Sequence, residues 1–145
     1  MTNKTYFLNS QQPVWYLIDA KNETLGRISS KIASALNQKN STLYSPQQKK
    51  CTFIIIVNAQ YIKVSGNKYK TKMYRRHSGK PGGLKEQNFS EIRKKIPTMI
   101  IRKSIKGMLP KNKTNNLLCK NLKIYADKNH PYKSLKLNLI NLNKI

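Results

Sequence analysis

The sequence predicts an α/β domain built on a parallel sheet, and three features carry that prediction. Residues 14–18 (VWYLI) and 53–57 (FIIIV) are unbroken apolar runs, the pattern of strands covered on both faces rather than of half-exposed strands, which alternate. Between them Leu25, Ile28, Ile32 and Leu36 recur at spacings of three and four, which aligns them on one stripe of a helix. Strand, helix and strand within about 45 residues make a βαβ unit, whose crossover between parallel neighbours is right-handed.

The remaining elements follow in order. On the first helix Arg27 and Lys31 lie off the apolar stripe, and Thr24 is the expected N-cap because its hydroxyl can accept from a first-turn amide. Residues 64–68 (VSGNK) read as a turn around Gly-Asn and lead into a cationic loop at 73–85. Ser90 to Ile96 should form a short helix, and Pro97, which suits a first helical position, should start another. On that second helix Ile101, Ile105 and Met108 share one side, while Arg102, Lys103 and Lys106 share another, and Pro110 ends it. Residues 111–116 (KNKTNN) are polar and turn-like, and 122–126 (LKIYA) alternate as a half-exposed edge strand should. From Asn129 onward no firm period survives, so the tail is expected to be extended or irregular. No internal repeat is visible, and the length suits one domain: an N-terminal extension at 1–12, a core at 13–128 and a C-terminal tail at 129–145.

Charge narrows the function. Lys and Arg number 29 against 5 acidic residues, a formal net charge of +24, far beyond the magnitude of about 2 to 8 that suits a small soluble domain. Neutralising phosphates releases condensed counterions, so such a chain is built to meet nucleic acid. An anionic membrane surface attracts the same charge, but through an amphipathic helix or polybasic tail, and here the cations are spread along the chain. The longest strongly apolar run is five residues, against about 20 for a bilayer span, and residues 1–12 carry neither a secretion nor a transit pattern. No membrane association is expected, and the chain is either used where it is made or already processed.

Catalysis is not expected. The carboxylates are Asp19, Glu23, Glu86, Glu91 and Asp127, and the imidazoles His77 and His130, with no pair at a telling spacing. Cys51 and Cys119 form no CxxC, which indicates neither disulfide nor zinc site and suggests a reducing compartment. Gly82 and Gly83 fit neither a P-loop nor GxGxxG, so no cofactor is expected.

The cationic loop, MYRRHSGKPGGLK, sets Arg75, Arg76, Lys80 and Lys85 beside His77 and three glycines, with no carboxylate before Glu86. Glycine permits close backbone approach, and guanidinium and ammonium groups seek phosphate oxygens. Residues 75–85 are expected to lie against RNA backbone and to be poorly ordered until RNA binds; a merely solvated loop is the alternative. Arg102 and Lys106, four apart on a helix, repel by a few tenths of a kcal/mol, which phosphate contact would relieve; a solvated face is again the alternative. Tyr69, Tyr74, Tyr125 and Tyr132 could stack on unpaired bases or simply pack, packing being the preferred reading for Tyr125. The candidate RNA-binding residues are Lys68, Lys70, Lys72, Tyr74, Arg75, Arg76, His77, Ser78, Lys80, Lys85, Arg102, Lys106, Lys111, Lys113, Lys120 and His130.

Several segments taken in order, WYLIDA then TLGR, YSP, FIIIVNA, KVSGNK, YRRHSGKPGGLKE, KGMLPKN, LKIYA and NHP, resemble the large-subunit ribosomal proteins of the universal L-thirteen family over residues 15–131. The resemblance implies a three-layer α/β/α domain around a four-stranded parallel sheet. It further implies binding to large-subunit ribosomal RNA, early entry into assembly, neighbouring large-subunit proteins as partners and no homo-oligomer. The chain departs from the family at Gln47, Gln48, Lys49, Lys50 and Cys51, where an acidic, Gly-containing stretch is usual. Lys113, Thr114, Asn115 and Asn116 replace a Gly-Arg-rich continuation, and Tyr132 stands where a second His often follows the proline. Heavy use of Lys, Asn and Ile has the look of AT-rich coding, and with the YRRHSGKPGG wording it is most similar to plastid-encoded members. The expected location is the ribosome of a plastid (chloroplast) stroma, with the cytoplasm of a low-GC bacterium as the alternative. A free-standing regulatory or architectural RNA-binding protein is the alternative function.

Overall fold

Two parallel strands and the helix between them organise the chain. In the computed structural model, which describes residues 12–39, 41, 42, 44, 51–135 and 137–139, the elements in chain order are β1 (Val14–Asp19), α1 (Leu25–Leu36), β2 (Thr52–Val57), α2 (Lys68–Thr71), β3 (Met73–His77), β4 (Leu84–Asn88), α3 (Phe89–Lys95), α4 (Pro97–Met108), α5 (Lys113–Lys120), β5 (Leu122–Ile124) and β6 (Asn138–Leu139), with a 3₁₀ turn at Ala59–Tyr61. The expected N-terminal extension lies outside the described residues except for Gln12, as do positions 47–50 and the end of the tail.

β1 and β2 pair in parallel from Val14 opposite Thr52 to Asp19 opposite Val57. β5 adds to the outer side of β2, with Ile54 opposite Leu122 and Ile56 opposite Ile124. Residues 138–139 of the extended tail add to β1 as a two-residue strand. The result is a four-stranded parallel sheet in the order β5-β2-β1-β6, the α/β class that the apolar runs predict, with β5 at the edge.

Strand register sorts the side chains into two faces. Ile18, Ile54, Ile56, Leu122 and Ile124 join one buried cluster with Leu25, Ile28, Ile32 and Leu36 of α1, Phe89 and Ile92 of α3, Ile100, Ile101 and Ile105 of α4, and Leu118 of α5. Each fully buried side chain of this kind stabilises the fold by roughly 1.5–3 kcal/mol. On the other face Trp15 stacks on Phe53 at 4.5 Å, and Tyr132 from the C-terminal segment tilts against Trp15 at 5.3 Å.

Four local expectations need correction. β1 is not covered on both faces as β2 is: Val14, Trp15, Tyr16 and Leu17 are half-buried, since Trp15 and Leu17 point away from the main buried cluster and Trp15 meets the Tyr132 ring of the C-terminal segment instead. Thr24 occupies the N-cap position of α1, but its side chain makes no capping hydrogen bond. Met108 is 45% exposed while Leu109 is buried; helix α4 stops at Met108 and the extended backbone at Leu109 turns that residue inward instead. Residues 111–116 are not a turn throughout, since Asn112 Oδ1 accepts the Asn115 N–H at 3.2 Å and caps α5, whose polar Asn115 is buried beside Leu118.

Candidate nucleic-acid interface

The cationic segment is a hairpin, not a loop. β3 and β4 pair antiparallel from Met73 opposite Asn88 to His77 opposite Leu84, so residues 75–77 and 84–85 of the stretch expected to lack order are paired in a ladder. The same register sets Arg75 opposite Glu86, and Arg75 Nε donates to Glu86 Oε1 at 2.6 Å. The carboxylate that closes the segment in sequence therefore neutralises one of its cations in space. Both partners are substantially exposed, so the pair contributes at most about 1 kcal/mol.

The tip leaves Ser78, Lys80 and the glycines outside the ladder. Ser78 N–H donates to Gly83 O at 3.3 Å and Gly83 N–H to Lys80 O at 3.0 Å. A side chain at position 83 would collide with Ser78 Oγ and Lys80 O, and Gly82 takes a φ of +71°, a backbone that suits glycine. His77 Nδ1 accepts the Gly79 N–H at 3.0 Å, which leaves Nε2 as the ring nitrogen free to donate. Arg76, His77, Lys80 and Lys85 are exposed.

Helix α4 meets the hairpin through Tyr74. The Lys103 ammonium lies 4.9 Å and the Lys72 ammonium 5.7 Å from the centroid of its ring, each a cation–π contact of about 0.5–1 kcal/mol at an exposed site. Burial lifts the Tyr74 phenol above the ordinary tyrosine value. Arg102 and Lys106 are exposed on the same helix as Lys103, so the hairpin and the basic face of α4 form one joined cationic surface. Lys68 and Lys70 lie exposed on α2, directly ahead of the hairpin in sequence.

Other candidates stand on separate elements. Lys111, Lys113 and Lys120 are exposed on α5 and its lead-in. His130 is half-buried, its ring 6.3 Å from that of Tyr125 and its Nδ1 shielded without a hydrogen-bond partner. The tyrosine rings are engaged within the fold: Tyr69 with Phe89 at 5.8 Å and with the Arg93 guanidinium at 5.7 Å, Tyr132 with Trp15, and Tyr125 with His130. That packing is partial, since Tyr69 remains 39% exposed. Lys103 is the residue that sequence reasoning passed over; it was legible as part of the basic side of α4, but its reach to Tyr74 depends on tertiary placement. Among the described residues, no three or more His, Cys, Asp or Glu side chains group to hold a metal, and no helix is long and apolar enough to cross a membrane.

A parallel α/β core that carries a basic hairpin locked to a basic helix face defines a class of compact cationic proteins built to meet a polyanion. Within that class, the family described as Ribosomal protein L13 matches residues 13–131, and the chain belongs to it. The chain is 48% identical over 139 residues to the large ribosomal subunit protein uL13c of Gracilaria tenuistipitata var. liui, covering 95% of this chain and 97% of that one. It is 41% identical over 144 residues to the large ribosomal subunit protein uL13 of Acaryochloris marina, covering 98% and 95%. It is 48% identical over 118 residues to the uL13 protein of Prochlorococcus marinus strain SARG, covering 81% and 79%.

Proposed function

We propose that this protein is a structural, non-enzymatic constituent of the large ribosomal subunit, that it binds large-subunit ribosomal RNA and that it joins assembly early. The observation that carries the reading is the family match across residues 13–131, among relatives named as large-subunit proteins. Charge supports the RNA partner: a formal +24 opposes compaction in the free chain and is relieved by phosphate. The hairpin and the basic face of α4 are the principal contact surface. Lys68, Lys70, Lys72, Arg75, Arg76, His77, Ser78, Lys80 and Lys85 serve it from one side, and Arg102 and Lys106 from the other. Lys111, Lys113, Lys120 and His130 make outlying contacts, and Tyr74 positions the hairpin. Relatives from Gracilaria and from cyanobacteria favour a plastid ribosome, with a bacterial cytoplasm as the alternative setting.

Sedimentation of the native protein tests this. It should travel with large subunits at moderate salt and leave them only as ionic strength rises. Recovery away from ribosomal particles would favour a free-standing RNA-binding protein and overturn the assignment.

A further inference from the structure

Between the start of α1, the stretch around α2 and the last turns of α4 lies an open cleft of about 430 Å³. Its walls are held in place by the backbone: Thr24 and Lys63 form an isolated parallel bridge, with Leu25 N–H donating to Lys63 O at 2.8 Å and Lys63 N–H to Glu23 O at 2.9 Å. Thr24, Gly26 and Arg27 line one wall, and Ser65, Lys68 and Lys72 another.

The α1 wall is unfinished as a helix start. Leu25 and Ile28 N–H groups have acceptors, in Lys63 O and Thr24 O, whereas those of Gly26 and Arg27 find none among the described residues. Thr24 has the extended backbone of a cap, yet it does not cap them, and its Oγ1 lies shielded from solvent without a partner. No acidic side chain occupies the first turn. Arg27 stands there instead, at the positive end of the helix dipole, where a cation is disfavoured. Gly26 is not demanded by packing, since a Cβ there would meet nothing within 4 Å. What glycine provides at that position is bare backbone open to close approach. Across the cleft Lys68 Nζ donates to Ser65 Oγ at 3.3 Å, which holds one ammonium at the cleft wall, and Lys72 lines the same wall.

We propose that this cleft seats one backbone phosphate of the RNA, with the Gly26 and Arg27 amides and the Arg27, Lys68 and Lys72 cations as its donors. A single anion answers each oddity: it accepts from the two uncapped amides, offsets the repulsion between the helix dipole and Arg27 by attracting both, and joins cations from two separate elements. The proposal rests on the RNA-binding reading above, and it extends the interface from the hairpin to a wall made by α1.

The test uses the full chain and large-subunit ribosomal RNA at fixed salt. Arg27→Ala should weaken binding roughly tenfold, as expected for a lost charge-assisted contact. Gly26→Ala should weaken it several-fold by crowding the amides, and thermal melts of the free variants should be no lower than wild type. Inorganic phosphate, titrated into the free wild-type protein, should shift the amide NMR resonances of Gly26 and Arg27. Variants that bind the RNA as tightly as wild type overturn the proposal; if phosphate still shifts the amides, the cleft takes free anions only. An absence of any shift at both amides also overturns it. Failure of the wild type itself to bind the RNA would overturn the functional reading, an outcome distinct from a cleft variant that matches a binding-competent wild type.

Discussion

The Lys103 ammonium on α4 lies 4.9 Å from the centroid of the Tyr74 ring on β3, and this one contact ties the cationic hairpin to the basic helix. Lys72 reaches the same ring at 5.7 Å, so one ring attracts two ammonium groups that would otherwise only repel. Lys72 and Lys103 are thereby gathered on one surface by the quadrupole of an aromatic ring, whereas Arg75 is held by the acidic partner Glu86. The chain keeps its positive field and still orders the segment that presents it.

The phenols of Tyr74 and, elsewhere in the fold, Tyr125 give the protein an alkaline signature. Both are raised above the ordinary tyrosine value, Tyr74 by burial, and Tyr125 by burial first and then by the charge and hydrogen bond of Tyr132. A folded value above the unfolded one contributes stability that is present below about pH 10 and is lost as pH rises through the folded value. Thermal stability should therefore decline above that pH, and Tyr74→Phe should soften the decline relative to wild type. Identical alkaline limbs would show that Tyr74 is not held neutral by the fold.

The two faces of α4 should fail in different ways. Ile105 is fully buried, and Ile105→Ala should destabilise the free protein by about 2 to 5 kcal/mol through lost transfer energy and a residual cavity, while the folded fraction still binds RNA. Arg102→Ala combined with Lys106→Ala should leave the melt unchanged or slightly higher, and should lower the salt slope of RNA binding by roughly one per lost phosphate contact. RNA binding by the double variant equal to wild type would mark that face as merely solvated.

Glu86→Gln separates hairpin order from hairpin charge. The Arg75–Glu86 pair is exposed, so its loss should change stability by less than about 1 kcal/mol. It also releases a guanidinium and removes a negative charge, so RNA affinity should rise. Hydrogen exchange checks the order directly: amides of β3 and β4 should be protected in the free variant relative to the 78–83 tip. A fall in RNA affinity would mean that the pair orients Arg75 rather than occupying it.

Binding as a whole should be phosphate-directed. Of the 29 cationic side chains only five are Arg, and an ammonium acts as a point charge that reads base edges less geometrically than a guanidinium does. If about six to ten phosphates are neutralised, log affinity should fall against log salt with a slope near −5 to −9, taking ~0.9 per contact as the duplex value. A slope flatter than about −2 would contradict phosphate-directed binding.

The sheet was legible because its signal is hydrophobic. The 53–57 run and the Leu25-Ile28-Ile32-Leu36 stripe name β2 and α1 directly, since each buries what it displays. The hairpin was not legible: Met73 and Leu84, its apolar ends, are 44% and 55% exposed, and the positions between them are mostly charged, so no inward-facing alternation marks the strands. Helix α5 was hidden for a related reason, because its cap Asn112 and its buried Asn115 are polar and read as turn residues. Two-residue β6 carries no period at all. Among the site residues, the clustering of positive charge was plain in sequence, but the pairing of Arg75 with Glu86, the reach of Lys103 to Tyr74 and the convergence of Arg27 with Lys68 and Lys72 depend on register and tertiary packing.

A map of the native large subunit at side-chain resolution tests the central claim most directly. The 73–88 hairpin and the Arg102 and Lys106 face of α4 should lie against RNA backbone, with phosphate oxygens within hydrogen-bonding distance of Arg76, Lys80, Lys85 and Arg102. A hairpin turned to solvent or to protein, with the RNA on another face of the domain, would contradict the account.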